Sequence, residues 1–167
     1  MSENLCKEET FKNVFFDQSE RLRNFLYYKT GNMAQAEDLV QDAFGKLWEN
    51  CSKVAIEKVK SFLFTIANNL FINQVKHKQV VLKFEQRTKT QVDREDPAFL
   101  LEKEEFRKRL QKAISDLPEK QREVFMLRYF EEMKYQEMSE LLQTSESALK
   151  SNYHHASKKV EDFLKNN

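Results

Sequence analysis

The sequence predicts an all-α protein, and three observations carry that prediction. Glycine and proline number only two each, too few for the turns that most sheets require. Hydrophobic residues make up 40% and charged residues 33%, a balance that suits amphipathic helices packed on one another and argues against global disorder. Apolar residues recur at spacings of three and four, the helical period. With 167 residues, the chain can bury one good core or two small ones.

The elements follow in order. Phe11 to Lys29 reads as a first helix, with Phe11, Val14, Phe15, Leu22, Phe25 and Leu26 on one face, and it stops at Thr30-Gly31. Asn32, three residues before Gln35, suggests a capping box for a second helix. There Ala36, Leu39, Val40, Ala43, Phe44, Leu47 and Trp48 form a stripe expected in the core, where an indole fills space well. Glu37, Asp38, Gln41, Asp42, Lys46 and Glu49 are left on the other side. A loop with lysines at both ends, Lys53 and Lys58, follows.

Next comes a long helix with an expected inward face of Val59, Phe62, Leu63, Ile66, Ala67 and Leu70. Its expected outward face is Lys60, Phe64, Thr65, Asn68, Asn69, Ile72, Asn73 and Lys76. Periodicity fades over VVLKFEQRTKTQVDREDP, residues 80–97, which reads as a linker between helical domains at 1–79 and 98–167. The second domain opens with a helix from Ala98 to about Asp116, its stripe being Phe99, Leu100, Phe106, Leu110, Ala113 and Ile114. Leu117-Pro118 breaks it, and proline favours a new start for a helix over Glu119 to Phe130. Tyr135 to Leu142 is then a short helix, Gln143-Thr144-Ser145 a tight turn, and Glu146 to about Lys165 a last helix capped by Ser145. Helix, three-residue turn and helix make a helix-turn-helix.

Charge is unevenly spread. The net value is +1, low for a DNA-binding protein. Met1 to Ser52 carries six Lys/Arg against nine Asp/Glu, whereas Lys53 to Val92 carries eight against two. Asp93 to Leu142 is acidic again, ten against thirteen, and the remainder holds four against three. A basic block between acidic ones implies different partners for different parts.

Three faces could bind something. The last helix offers Glu146, Ser147, Lys150, Ser151, Asn152, His154 and His155 in its first turns, small and polar groups that a major groove admits. A solvated face of an ordinary helical hairpin is the alternative. The lysine-flanked long helix, showing Phe64 and three asparagines, could hold a single strand by stacking, amide pairing and phosphate contact. The alternative there is a solvated helix whose Phe64 packs on a neighbour. The acidic face of the second helix would repel phosphate and suits a basic protein surface; mere solvation would also account for it.

Catalysis and metal binding find little support. His154 and His155 are adjacent rather than four apart, His77 stands alone, and no Gly-rich phosphate loop, nucleophile elbow or HExxH occurs. An enzyme and a cofactor are therefore not expected. No apolar run approaches the ~18 residues of a membrane span, so membrane insertion is not expected. MSENLCKEET lacks the layout of a secretion signal. Cys6 and Cys51 follow no metal or redox spacing, and reduced thiols in a cytoplasmic protein are the simplest expectation.

Taken in order, these patterns resemble bacterial sigma factors of the extracytoplasmic-function (ECF) type, within the sigma-70 family. GNMAQAEDLVQDAFGKLWEN resembles the family's second region and SFLFTIANNLFIN the promoter-melting helix after it. LPEKQREVFMLRYFEEMKYQEMSELLQTSESALKSNYHHASKKVEDFL resembles the whole fourth region. The resemblance covers roughly residues 11–78 and 98–165. It implies region 2 at 1–79, a linker at 80–97 and region 4 at 98–167.

By resemblance, Glu37, Asp38, Gln41 and Asp42 dock on the clamp coiled coil of core RNA polymerase. Lys53, Lys58, Lys60, Phe64, Asn68, Asn69, Asn73 and Lys76 face the single-stranded −10 element. Ser145, Ser147, Lys150, Ser151, Asn152, His154 and His155 read duplex −35 DNA. An anti-sigma factor is a further partner that the resemblance implies. The family often has Arg where Asn68, Lys76, Asn152 and His155 stand, Asp at Asn73, and glycine in place of Gln143. Fewer arginines imply weaker phosphate grip and altered base preference, and a non-glycine turn residue implies strain in a left-handed conformation. A stand-alone helix-turn-helix regulator, which usually dimerises across two half-sites, and a helical scaffold are the competing readings.

Overall fold

The computed structural model describes residues 4–82 and 104–166. All regular structure among them is helical. The chain divides into two compact units, Met1–Arg94 and Glu95–Asn167.

In the first unit α1 spans Glu8–Thr30, longer at both ends than the periodicity implied. It ends because Gly31 takes the left-handed conformation (φ 68°) and returns its N–H to the Tyr27 carbonyl at 2.8 Å, a conformation that glycine adopts without a Cβ penalty. Helix α2 spans Met33–Glu49. The Asn32 side chain accepts the Gln35 N–H at 2.9 Å, but only half of the expected capping box forms. The Asn32 N–H donates instead to Thr30 Oγ1 (3.1 Å), and the Gln35 amide donates across to Gln74 Oε1 (2.9 Å). After a turn and a short 3-10 segment, Ile56–Lys58, comes α3, Val59–Leu82. It runs past the expected end of the domain, and residues 83–97 of the expected linker lie outside the described residues.

Helices α1, α2 and α3 pack mutually around Leu22, Phe25, Leu26, Leu39, Leu47, Leu63 and Phe64, each at most 1% exposed. Two expectations fail here. Trp48 is 48% exposed, not core. It lies in the last turn of α2, beside the start of α1, where its ring makes a T-shaped contact with Phe11 at 5.0 Å between centroids. Cys6 and Cys51 are not free thiols; they form a disulfide. No spacing rule could reveal it, because the packing of α1 along α2 is what brings the two ends together.

In the second unit α4 is Glu104–Ser115, so the expected start at Ala98, with Phe99 and Leu100, falls outside the described residues. Phe106, expected in the core, is 52% exposed. Helix α5, Glu119–Phe125, follows Pro118, but the helix expected to continue to Phe130 changes to a π-turn over Met126–Phe130. Helices α6, Tyr135–Leu142, and α7, Glu146–Asn166, complete the unit. Helix α7 is its spine, packing on α4, α5 and α6, with Leu149, Ala156 and Val160 buried.

Candidate nucleic-acid and protein interfaces

Helix α2 carries the acidic face. Glu37, Asp38, Gln41 and Asp42 are all exposed, while Ala36, Leu39, Val40 and Ala43 on the opposite side are buried, as an i, i+3, i+4 stripe requires. Glu37 is partly engaged within the unit, its carboxylate 3.8 Å from Arg23 of α1. Such an exposed pair contributes little stability, but it turns that end of the face toward α1 and leaves Asp38, Gln41 and Asp42 as its open part.

Helix α3 is rolled about a quarter turn from the orientation that its sequence suggested. Val59, Leu63, Phe64, Ala67, Asn68 and Phe71 are buried, whereas Phe62, Ile66 and Leu70 are only partly so. Phe64 is therefore not a stacking platform; it is fully buried against Phe25 at 5.3 Å between centroids. Asn68 is not an outward amide either. It is 3% exposed, and its Oδ1 accepts from Lys29 Nζ of α1. The Lys29 ammonium also lies over the rings of Phe25 and Phe71, at 5.3 and 5.2 Å from the centroids. A buried polar side chain needs a partner, and with one supplied by α1 the amide turns inward. The Gln35–Gln74 bond from α2 is a second brace on the same helix.

That roll leaves Asn69, Ile72, Asn73 and Lys76 exposed, at spacings that align them along one side of α3. Lys53 and Lys58 are exposed in the preceding loop, and Lys60 is half-buried at the start of the helix. Ile72, expected on the outward face, is 38% exposed among amides and a lysine and adds an apolar contact point. Lys29 was passed over; its position in the last turn of α1 was the only available signal.

In the second unit the turn between α6 and α7 is built from side-chain bonds to the backbone. Gln143 takes φ 52° and its amide donates to the Glu140 carbonyl at 2.7 Å. Ser139 Oγ donates to the Thr144 carbonyl at 2.7 Å. Ser145 Oγ accepts the Ala148 N–H at 3.2 Å, closing the first turn of α7. This geometry presents Ser147, Lys150, Ser151, His154 and His155 on one exposed arc. Asn152 sits at the margin of the buried side and is half-buried. Lys150 Nζ lies 5.6 Å from the centroid of the Tyr135 ring, and the Arg128 guanidinium 4.8 Å from the same ring, so one aromatic of α6 carries two cations. Among the described residues there is no cluster of metal-ligating side chains, and no helix long and apolar enough to cross a membrane.

Comparison with known proteins decides among the readings. Residues 16–80 match the model of Sigma-70 region 2, and residues 107–160 that of Sigma-70, region 4. The chain belongs to the sigma-70 family, as an ECF-type sigma factor. It is 33% identical over 130 residues to the ECF RNA polymerase sigma factor SigM of Bacillus subtilis (strain 168), covering 76% of this chain and 78% of that protein. It is also similar to the RNA polymerase sigma factor YlaC of the same organism, 26% identical over 153 residues, covering 89% and 88%. Among solved structures it resembles the sigma factor RpoE from Bartonella quintana, described in complex with the anti-sigma factor NepR. The TM-score is 0.69 at 22% identity, over 93% of this chain and 96% of that one. As a sigma factor the chain binds core RNA polymerase and directs initiation at specific promoters. The stand-alone regulator and the scaffold are thereby set aside.

Proposed function

We propose a division of labour among the three faces. Asp38, Gln41 and Asp42, with Glu37 at their edge, dock on the clamp coiled coil of core polymerase. Lys53, Lys58 and Lys60, with the α3 side of Asn69, Ile72, Asn73 and Lys76, receive the opened −10 strand. Lysines follow phosphates, and amides and an aliphatic side chain meet the bases. The arc of α7, with Ser145 at its cap, enters the −35 major groove. In this reading residues 1–79 form region 2, 80–97 the linker and 98–167 region 4. The protein is a non-enzymatic, cytoplasmic factor, held in reserve by an anti-sigma factor.

The observation that carries this reading is the opposition of charge within one unit: an open face on α2 with Asp38 and Asp42 around Gln41, and an amide-and-lysine side on α3. An acidic face repels phosphate and suits a basic protein surface, which favours polymerase as its partner. The test is co-purification with bacterial core RNA polymerase, comparing the wild type with Asp38→Lys/Gln41→Lys. The double variant, folded by circular dichroism, should lose binding, because like charges at such an interface cost several kcal/mol. Retained binding would move the polymerase contact elsewhere.

A further inference from the structure

Polymerase docking and promoter reading make no use of the covalent bond between Cys6 and Cys51. Cys6 lies in the turn ahead of α1, where its N–H donates to Asn4 Oδ1 at 2.9 Å and the Lys7 N–H to the Asn4 carbonyl at 3.1 Å. Its neighbour Leu5 is 2% exposed. Cys51 follows α2 at the root of the lysine loop: its N–H donates to the Trp48 carbonyl, and those of Lys53 and Val54 to the Asn50 carbonyl, at 3.3, 2.9 and 3.2 Å. These turn bonds are local. The disulfide adds a tie across 45 residues of sequence, from the root of the loop to the start of α1.

We propose that Cys6 and Cys51 form a thiol–disulfide exchange site whose state sets the order of residues 51–58 and, through them, promoter opening. The last step rests on the reading of that loop as a −10 contact. Two observations support exchange over a permanent staple. Core polymerase and promoter DNA occupy a compartment where small thiols keep cysteines reduced, and disulfides there are usually transient or sensing. Both cysteines are only half-buried, so a small thiol or disulfide can reach them, and access is a condition of exchange.

The chemistry balances with a low-molecular-weight disulfide as oxidant. The Cys51 thiolate attacks one sulfur of that disulfide, and the departing thiolate takes up a proton. The Cys6 thiolate then attacks the mixed disulfide on Cys51 and releases the second small thiol. Two protein thiols and one small disulfide thus become one protein disulfide and two small thiols, and two small thiols reverse the sequence.

The test uses the full chain equilibrated in oxidised and reduced glutathione. Thiol state is read by differential alkylation and mass spectrometry, and loop order by amide hydrogen exchange. Initiation is read with reconstituted holoenzyme transcribing fragmented genomic DNA. Reduction should open the bond, speed exchange at residues 51–58 several-fold and change transcript yield several-fold, with core binding unaltered. Cys6→Ser/Cys51→Ser should stay at the reduced level in both buffers; should that variant fold poorly, reduced wild type supplies the same comparison. A bond that never forms in oxidised glutathione, or never opens in reduced glutathione, would overturn the proposal. So would a bond that toggles without any change in loop exchange. If the loop loosens while transcription is unmoved, exchange and its hold on the loop stand, and the reading of the loop as a −10 contact is overturned.

Discussion

Helices α3 and α7 both expose a polar side, yet they are held in different ways. Helix α7 is gripped along one stripe, and its exposed arc is set by the turn before it. Helix α3 is gripped by both α1 and α2, and polar braces from each of them help set its roll. Where the buried residues of a helix fall on one stripe, as in α7, apolar periodicity alone orients it, even with several neighbours. Where apolar residues surround most of the helix, periodicity offers several orientations and the neighbours choose.

The sharpest way to break this comparison is Phe64→Ala. If Phe64 is the core residue described, truncation should destabilise the protein by about 3–5 kcal/mol, read by urea unfolding. An outward Phe64 would lose almost nothing. Asn69→Ala, on the exposed side of α3, serves as the control and should leave the unfolding midpoint in place.

Second in size is Lys29→Met. It keeps an apolar stem beside Phe25 and Phe71 but removes the donor to the buried Asn68 Oδ1, so a loss of about 1–3 kcal/mol is expected. Asn68→Leu in the same background should recover part of that loss, since replacing both partners by apolar groups removes the unsatisfied oxygen.

Smaller effects belong to the turn ahead of α7. Ser145→Ala removes the cap of the Ala148 N–H and should cost about 1 kcal/mol, measured by thermal unfolding. Gln143→Gly should act in the opposite direction, stabilising by about 0.5 kcal/mol. Relief of the left-handed backbone at φ 52° exceeds the lost bond to the Glu140 carbonyl and the added chain freedom. A destabilised Gln143→Gly would mean that the side-chain bond, rather than the backbone, holds the turn.

Legibility in the sequence followed the same divide. The helix-turn-helix and its Ser145 cap were readable because capping and turn chemistry act over three or four residues. The second helix and its exposed acids were readable from one clean stripe. The inward turn of Phe64 and Asn68 was not, because Phe62, Ile66 and Leu70 compete with Phe64 and Phe71 as core candidates, and the decision rests with Lys29, thirty-nine residues away from Asn68. Trp48 is exposed for a related reason: a stripe continues by periodicity beyond the point where its partner helix covers it. The disulfide left no local trace at all, since neither cysteine has a neighbour in sequence that marks it.

The division of the chain into two compact units has a consequence for how promoters are told apart. Neither unit is strongly basic, so on the division of labour proposed above each reader alone is expected to hold DNA weakly. Once one element is bound, the other is met at an effective concentration on the order of millimolar, provided the spacing lets both engage. The two weak affinities then multiply, and a site offering only one element, or both at the wrong separation, forfeits the gain. Discrimination of this kind is a form of avidity: the distance between elements becomes part of the code, although no side chain reads it.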